Sequence, residues 1–324
     1  MPVNETLANY GDWLYGAAAL VYVFAMVFYT TEQAFTRRAK KSEQAAAKVL
    51  VGAGAPVEPA SDAPAIGLIA EAPRRSRADR FGRMAVALTV LGALLHLGSI
   101  VLRGVATGRA PWGNMYEYGA SAMFVAVATW LVLMRKFDVR RLGAFVLTPV
   151  VILMFLGGTA LYTAAAPVQP ALQSYWLVIH VSAAILSSGL FLVPGVVSLL
   201  YLVKVKHDAN PAKFASLGAR LPDADSLDRL AYRTTIFAFP IYTFGIICGA
   251  IWAEAAWGRF WGWDPKETVA FVAWVVYAGY LHSRATAGWR GTRAAVINSV
   301  AFGMVVFNLF FINLVIAGLH SYAR

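Results

Sequence analysis

The chain has 324 residues, 59% of them hydrophobic and 14% charged, with a mean hydropathy of +0.59. A soluble domain of this length carries about a quarter charged residues, so the composition excludes a soluble globular protein and reads as an all-α, polytopic membrane bundle. The net charge of +11 would point to nucleic acid in a soluble protein, but here the basic residues cluster between apolar spans, where orientation in the bilayer accounts for them.

A bilayer core of about 30 Å takes roughly 20 apolar residues per helix. Residues 1–41 hold the first expected span, 12–34. The stretch MPVNETLANYGDW has no basic region ahead of it, so this span reads as retained rather than as a cleaved signal. Residues 42–83 follow as a basic cytoplasmic linker, and its part 42–73 is rich in Ala, Pro and Gly and reads as flexible. The remaining membrane domain, 84–324, holds seven further expected spans at 84–105, 115–134, 142–164, 175–203, 234–256, 268–287 and 294–318, about eight in all. Pro194 and Gly195 are expected to kink the long fifth span. A short surface helix is expected in the connection that follows it.

Of the 28 Lys and Arg residues, 23 fall in the connections on one side and five on the other. The positive-inside rule then places both termini extracytoplasmic. Cys248 is the one cysteine, so the chain forms no internal disulfide and carries neither a C-x-x-C pair nor a C-x-x-C-H site for covalent haem.

That orientation gives each histidine a depth. His180 starts the fifth span and His320 follows the eighth, both on the face that carries the loop WGRFWGWDPKET, within 252–268. His96 lies near mid-bilayer in the second span and His282 in the inner half of the seventh. His207 is a solvated residue of a cytoplasmic connection. Ionisable residues within the membrane face a partner, a cavity or a cofactor. Ser99 and Arg103 continue the face of His96, and Asn313 shares that of His320. A lone interfacial histidine is most often a polar tip, and interfacial tryptophans most often form an aromatic belt. A belt, however, scatters over many helices, whereas Trp257, Trp261, Trp263, Asp264, Lys266 and Glu267 crowd into one loop at the depth of two histidines. Zinc or copper would want more histidine, cysteine or carboxylate at close spacing. Haem suits the set better: two imidazoles cap its iron, indoles meet its faces, and a basic side chain meets its propionates.

The segment WGRFWGWDPKE resembles the WWD motif of haem-handling membrane proteins. With PWGNMYEYG, WLVIHVSAAILSSGLF, VYAGYLHSR and FFINLVIAGLHSYAR in this order, the region from about residue 84 onward resembles the CcsA/ResC family (CcsB in actinobacterial naming) of System II cytochrome c biogenesis. The resemblance implies a plasma-membrane component of a holocytochrome c synthase, or haem lyase. It would bind haem b, bring it to the outer face and present it for thioether attachment to apocytochrome c. It implies His180 and His320 as external axial ligands and catalytic residues, and His96 with His282 as an intramembrane pair on haem iron. Trp252, Trp257, Trp261, Trp263, Asp264 and Arg103 are the further cofactor-binding candidates. It also implies a ResB-type membrane partner that supplies the external domain this chain lacks. Two other readings stand beside it: a haem transporter without attachment, and a bis-histidine dihaem electron-transfer subunit. The latter would repeat histidine pairs on the same helices, whereas the four candidates here lie on four different spans.

Overall fold

The computed structural model describes residues 3–52, 76–167, 173–286, 288–316 and 318–320, and all regular structure among them is helical. The chain runs through α1 (Glu5–Gly52), α2 (Arg77–Thr107), α3 (Met115–Lys136), α4 (Gly143–Thr159) and α5 (Tyr175–Ala209). A one-turn α6 (Ala215–Gly218) precedes α7 (Ala224–Trp257), α8 (Pro265–Thr286) and α9 (Thr292–Phe307). A π-helical turn (Asn308–Ile312) and α10 (Asn313–Val315) continue α9.

Among the described residues, seven helical segments are long and apolar enough to cross a membrane, which makes the chain a multi-pass membrane bundle. The expected span not among them is the seventh, 268–287, which corresponds to α8; it has the length but carries Lys266, Glu267, His282 and Arg284 and falls outside that set. It packs against α7 and α9, so its polar ends are shared with neighbours.

Boundaries moved where capping overrode hydropathy. Asp223 accepts from the Ser226 N–H at 2.8 Å and starts α7 ten residues before its apolar window. Leu227, Leu230 and Ala231 then keep one face of this extension buried. The helix α1 continues through residue 52, so the first part of the expected flexible linker is helical, and residues 53–73 of that linker lie outside the described residues. The expected kink at Pro194 leaves α5 continuous.

Two packing units share α5. One joins α1 through α5 with α7 around Tyr22, Tyr29, Trp130 and Leu147. The other joins α5, α7, α8 and α9, with Phe191 stacked on Tyr277 at 3.9 Å. Buried ion pairs tie the two ends of the bundle. At one end, Arg140 bridges Glu32 and Asp79, and Arg284 meets Asp228 at 2.5 Å. At the other end, Arg103 and Arg109 converge on Glu117, which also accepts from the Gly113 N–H at 2.8 Å.

Candidate functional site

The tryptophan-rich loop is organised by the start of α8. Gly258, at φ 69°, ends α7 in the left-handed region that glycine adopts without strain. The Asp-Pro-Lys-Glu stretch is then a helix-capping sequence. Pro265 occupies the first helical position, where its missing N–H costs nothing. Glu267 Oε2 accepts from the backbone N–H groups of Asp264 and Gly262, at 3.1 and 2.9 Å, in the reach-back of a capping box. Asp264 Oδ2 accepts from the Lys266 N–H at 3.3 Å. Half of this charged cluster is therefore local structure.

The same Asp264 also reaches the chain terminus. Its Oδ1 accepts from the Leu319 N–H at 2.8 Å, and its Oδ2 accepts from His320 Nδ1 at 2.9 Å. Burial alone would raise the Asp264 carboxyl, but the Leu319 N–H and His320 outweigh it and hold the group below the usual carboxylate range. Burial, aided by the positive charge of Lys266, pushes His320 down against the opposing pull of Asp264. The contact is thus a neutral imidazole donating to an ionised carboxylate rather than an ion pair. Nδ1 holds the proton, and Nε2 keeps its lone pair.

His180 is held in the same way by a different acceptor. Its Nδ1 donates to the Gly245 carbonyl at 2.7 Å. A carbonyl only accepts, so Nε2 again carries the lone pair. Gly249 makes room for the ring: a Cβ there would stand 2.6 Å from the imidazole.

Both histidines line one largely apolar cleft, walled by α3, α5, α7, the loop, α8 and the end of the last helix. Trp252 lies between them in space. Its indole is parallel to His180, with centroids 6.3 Å apart, and 6.1 Å from His320. Trp257 sits edge-on to both Trp252 and His320, at 4.8 and 5.1 Å. Trp261 also lines the cleft. The π-helical turn supplies the opposite polar wall. Its i to i+5 bonding brings residues five apart onto one side, so Asn308 donates to the Lys266 carbonyl at 3.3 Å while Asn313 accepts from Lys266 Nζ at 2.5 Å.

The structure therefore brings together His180, His320, Trp252, Trp257 and Trp261, with Asp264 behind His320 as its orienting group. Four other candidates lie elsewhere. Trp263, at φ 57°, is 66% exposed and packs on the outside against Trp261 and Phe271. Arg103 is buried in the Glu117 network, donating to Glu117 at 3.0 Å and to the Thr163 carbonyl, and does not line the cleft. His96 and His282 do not form a pair. His96 is fully buried, enclosed edge-on by Tyr15 and Tyr22 of α1 and Phe124 of α3, whereas His282 is exposed on α8. The helix α2 packs mainly against α1 and α3, the elements that enclose His96.

Sequence reasoning missed Trp112, Tyr118 and Asn308 as cleft residues, and counted Lys266 in the loop cluster without giving it a place in the site. Trp112 holds a buried Nε1 with no acceptor among the described residues. Only Lys266 carried a signal, as a basic side chain amid aromatics on the side poor in basic residues.

A multi-pass helical bundle with two imidazoles and four indoles around one largely apolar cleft defines the class: a polytopic helical membrane protein with an aromatic-lined cleft at one end. Residues 112–320 match the family model described as cytochrome C assembly protein. A cytochrome c biogenesis protein CcsA from Guillardia theta is 36% identical over 258 residues, covering 72% of this chain and 83% of the relative. The corresponding protein from Chlamydomonas reinhardtii is 38% identical over 239 residues, with 71% and 65% covered. That from Parasynechococcus marenigrum is 35% identical over 263 residues, with 72% and 85% covered. The chain belongs to the cytochrome c assembly family, in its CcsA/ResC branch, and is a cytochrome c biogenesis protein. Among solved structures, the cytochrome c haem lyase CcmF shares the fold at a TM-score of 0.62 and 15% identity, over 96% of this chain and about half (47%) of its own length.

Proposed function

We propose that the cleft binds haem as a substrate between His180 and His320 and presents it for covalent attachment to apocytochrome c. The observation that carries this reading is the matched state of the two imidazoles. Each has Nδ1 committed to a fixed acceptor, which sets the tautomer that carries the lone pair on Nε2, and the two come from different elements beside one aromatic wall. The donor set fits iron porphyrin: neutral nitrogen ligands in an apolar cleft, with indoles for its faces. No group of three or more His, Cys, Asp or Glu among the described residues forms a site for a bare metal ion.

Haem supplies the vinyl groups of the reaction. Each substrate cysteine adds its S–H across one vinyl C=C, forming a C–S and a C–H bond, with no leaving group and no net redox change. The chain needs no nucleophile of its own. His180 and His320 fix the iron, Trp252 and Trp257 fix the ring plane, and the apolar walls exclude water; positioning is the contribution these residues make. The histidine of the C-x-x-C-H motif can replace one of the two imidazoles and carry the product away.

The charge asymmetry supports placing the cleft on the extracytoplasmic side, with both termini there; the short connections on that side and the family resemblance are what favour a ResB-type partner as the source of an external domain. Transport without attachment is the reading that competes. In vitro, purified chain with its partner, haem and a reduced C-x-x-C-H peptide should yield thioether-linked product. Release of intact haem to the peptide without a covalent bond would favour transport alone.

A further inference from the structure

The cleft has one basic wall. Among the described residues that line it, Lys266 is the only lysine or arginine. Its Nζ donates to the Asn313 amide oxygen, a neutral partner, and no carboxylate of the described residues lies within 4 Å of it. The two nearest acids are engaged elsewhere: Asp264 with His320 and the Leu319 N–H, Glu267 with the N–H groups of Gly262 and Asp264. An ammonium has three N–H donors, and a single amide oxygen uses one. Asp264 lies close enough to act on this charge but does not pair with it directly, and a partly buried cation with no carboxylate in contact is costly unless a ligand provides one. Of the other arginines at this end, Arg103 and Arg109 converge on Glu117, and Arg259 faces Glu267 at 3.7 Å and does not line the cleft.

We propose that Lys266, braced by Asn313, is the carboxylate anchor of the cleft and binds a propionate of the tetrapyrrole. This rests on the haem reading above and adds an orientation to it. A protoporphyrin carries both propionates on one edge and its vinyl groups towards the other. Anchored at Lys266, the ligand turns its vinyl edge away from α8, towards the walls of α3 and α5. Two imidazoles alone fix the ring plane but leave rotation about the iron free. The lysine removes that freedom and so selects which edge a peptide thiol meets. The competing account makes Lys266 a brace between α8 and the last helix, with no ligand contact.

The test compares iron protoporphyrin IX with its dimethyl ester, in which both propionates are neutral. Purified wild-type protein should bind the free acid at least about tenfold more tightly than the ester, the scale of one charge-assisted hydrogen bond. Lys266→Met should abolish that preference. Lys266→Gln, which keeps a hydrogen-bond partner for Asn313, should abolish it as well. Equal binding of acid and ester by the wild type would overturn the anchor, and needs no variant to fold. So would variants that weaken both ligands equally and leave the ratio intact, the signature of a brace. Failure of the wild type to bind either porphyrin would instead overturn the haem reading, and the anchor with it.

Discussion

His320 and His96 mark two regions of the same bundle that treat an imidazole in opposite ways. Around His320, polar groups act on one nitrogen and an apolar cleft meets the rest of the ring. Around His96, three aromatic rings close in from α1 and α3, and the residue is fully buried. A membrane histidine thus becomes a candidate ligand when its second nitrogen is fixed and its first has somewhere to point. Depth in the bilayer alone does not make it one. Two basic residues at the cleft end teach the same lesson: Arg103 directs its charge to Glu117, while Lys266 keeps its charge within the cleft.

The sharpest way to break this comparison is to remove the ligating rings. His180→Ala or His320→Ala should abolish holocytochrome formation, and added imidazole should restore part of it by filling the vacated position. Normal maturation in both variants would remove the distinction between the two regions. Next comes the arginine pair. Glu117→Ala leaves two buried guanidinium groups facing each other without their shared carboxylate, and should cost about 3–5 kcal/mol of stability. Thermal unfolding in detergent would check it, and an unchanged midpoint would show that the network is not a brace.

A smaller effect is expected one step behind the ligand. Asp264→Asn should lower haem affinity by roughly 10–100-fold while helix content stays intact, because the amide no longer fixes the His320 tautomer. The tryptophans should divide. Trp252→Ala or Trp257→Ala should weaken haem binding by about tenfold, and Trp263→Ala by no more than about twofold, since only the first two face the cleft. Equal losses at all three would mean that the loop rearranges around its ligand. The smallest effect belongs to the other region: His96→Leu should leave haem content at the cleft unchanged, and depletion there would restore a functional link between the two.

The helical bundle was legible from hydropathy, and the cleft's core from the coincidence of His180, His320 and the tryptophan loop at one depth. What hid was angular. Span positions give a residue's height along a helix but not which neighbour it faces, so His96 and His282 looked like a pair, whereas rings of α1 and α3 enclose the first and the second is exposed on α8. Trp263 misled for a similar reason: sequence adjacency to Trp261 says nothing of a left-handed backbone turn that sends one indole inward and the other out. The Asp-Pro-Lys-Glu stretch was read as chemistry, and is largely a capping box in which one oxygen of Asp264 also orients a histidine. Asn308 and Lys266 became neighbours through a π-helical turn that no apolar periodicity announces.

The most direct measurement is the absorption spectrum of the purified protein, taken for wild type, His180→Ala, His320→Ala and His96→Leu side by side. The wild type and His96→Leu should carry haem with a low-spin, bis-imidazole spectrum, and the two cleft variants should lose either that spectrum or the haem itself. A low-spin spectrum retained by both cleft variants, or lost only with His96, would contradict the assignment of the cleft as the haem site.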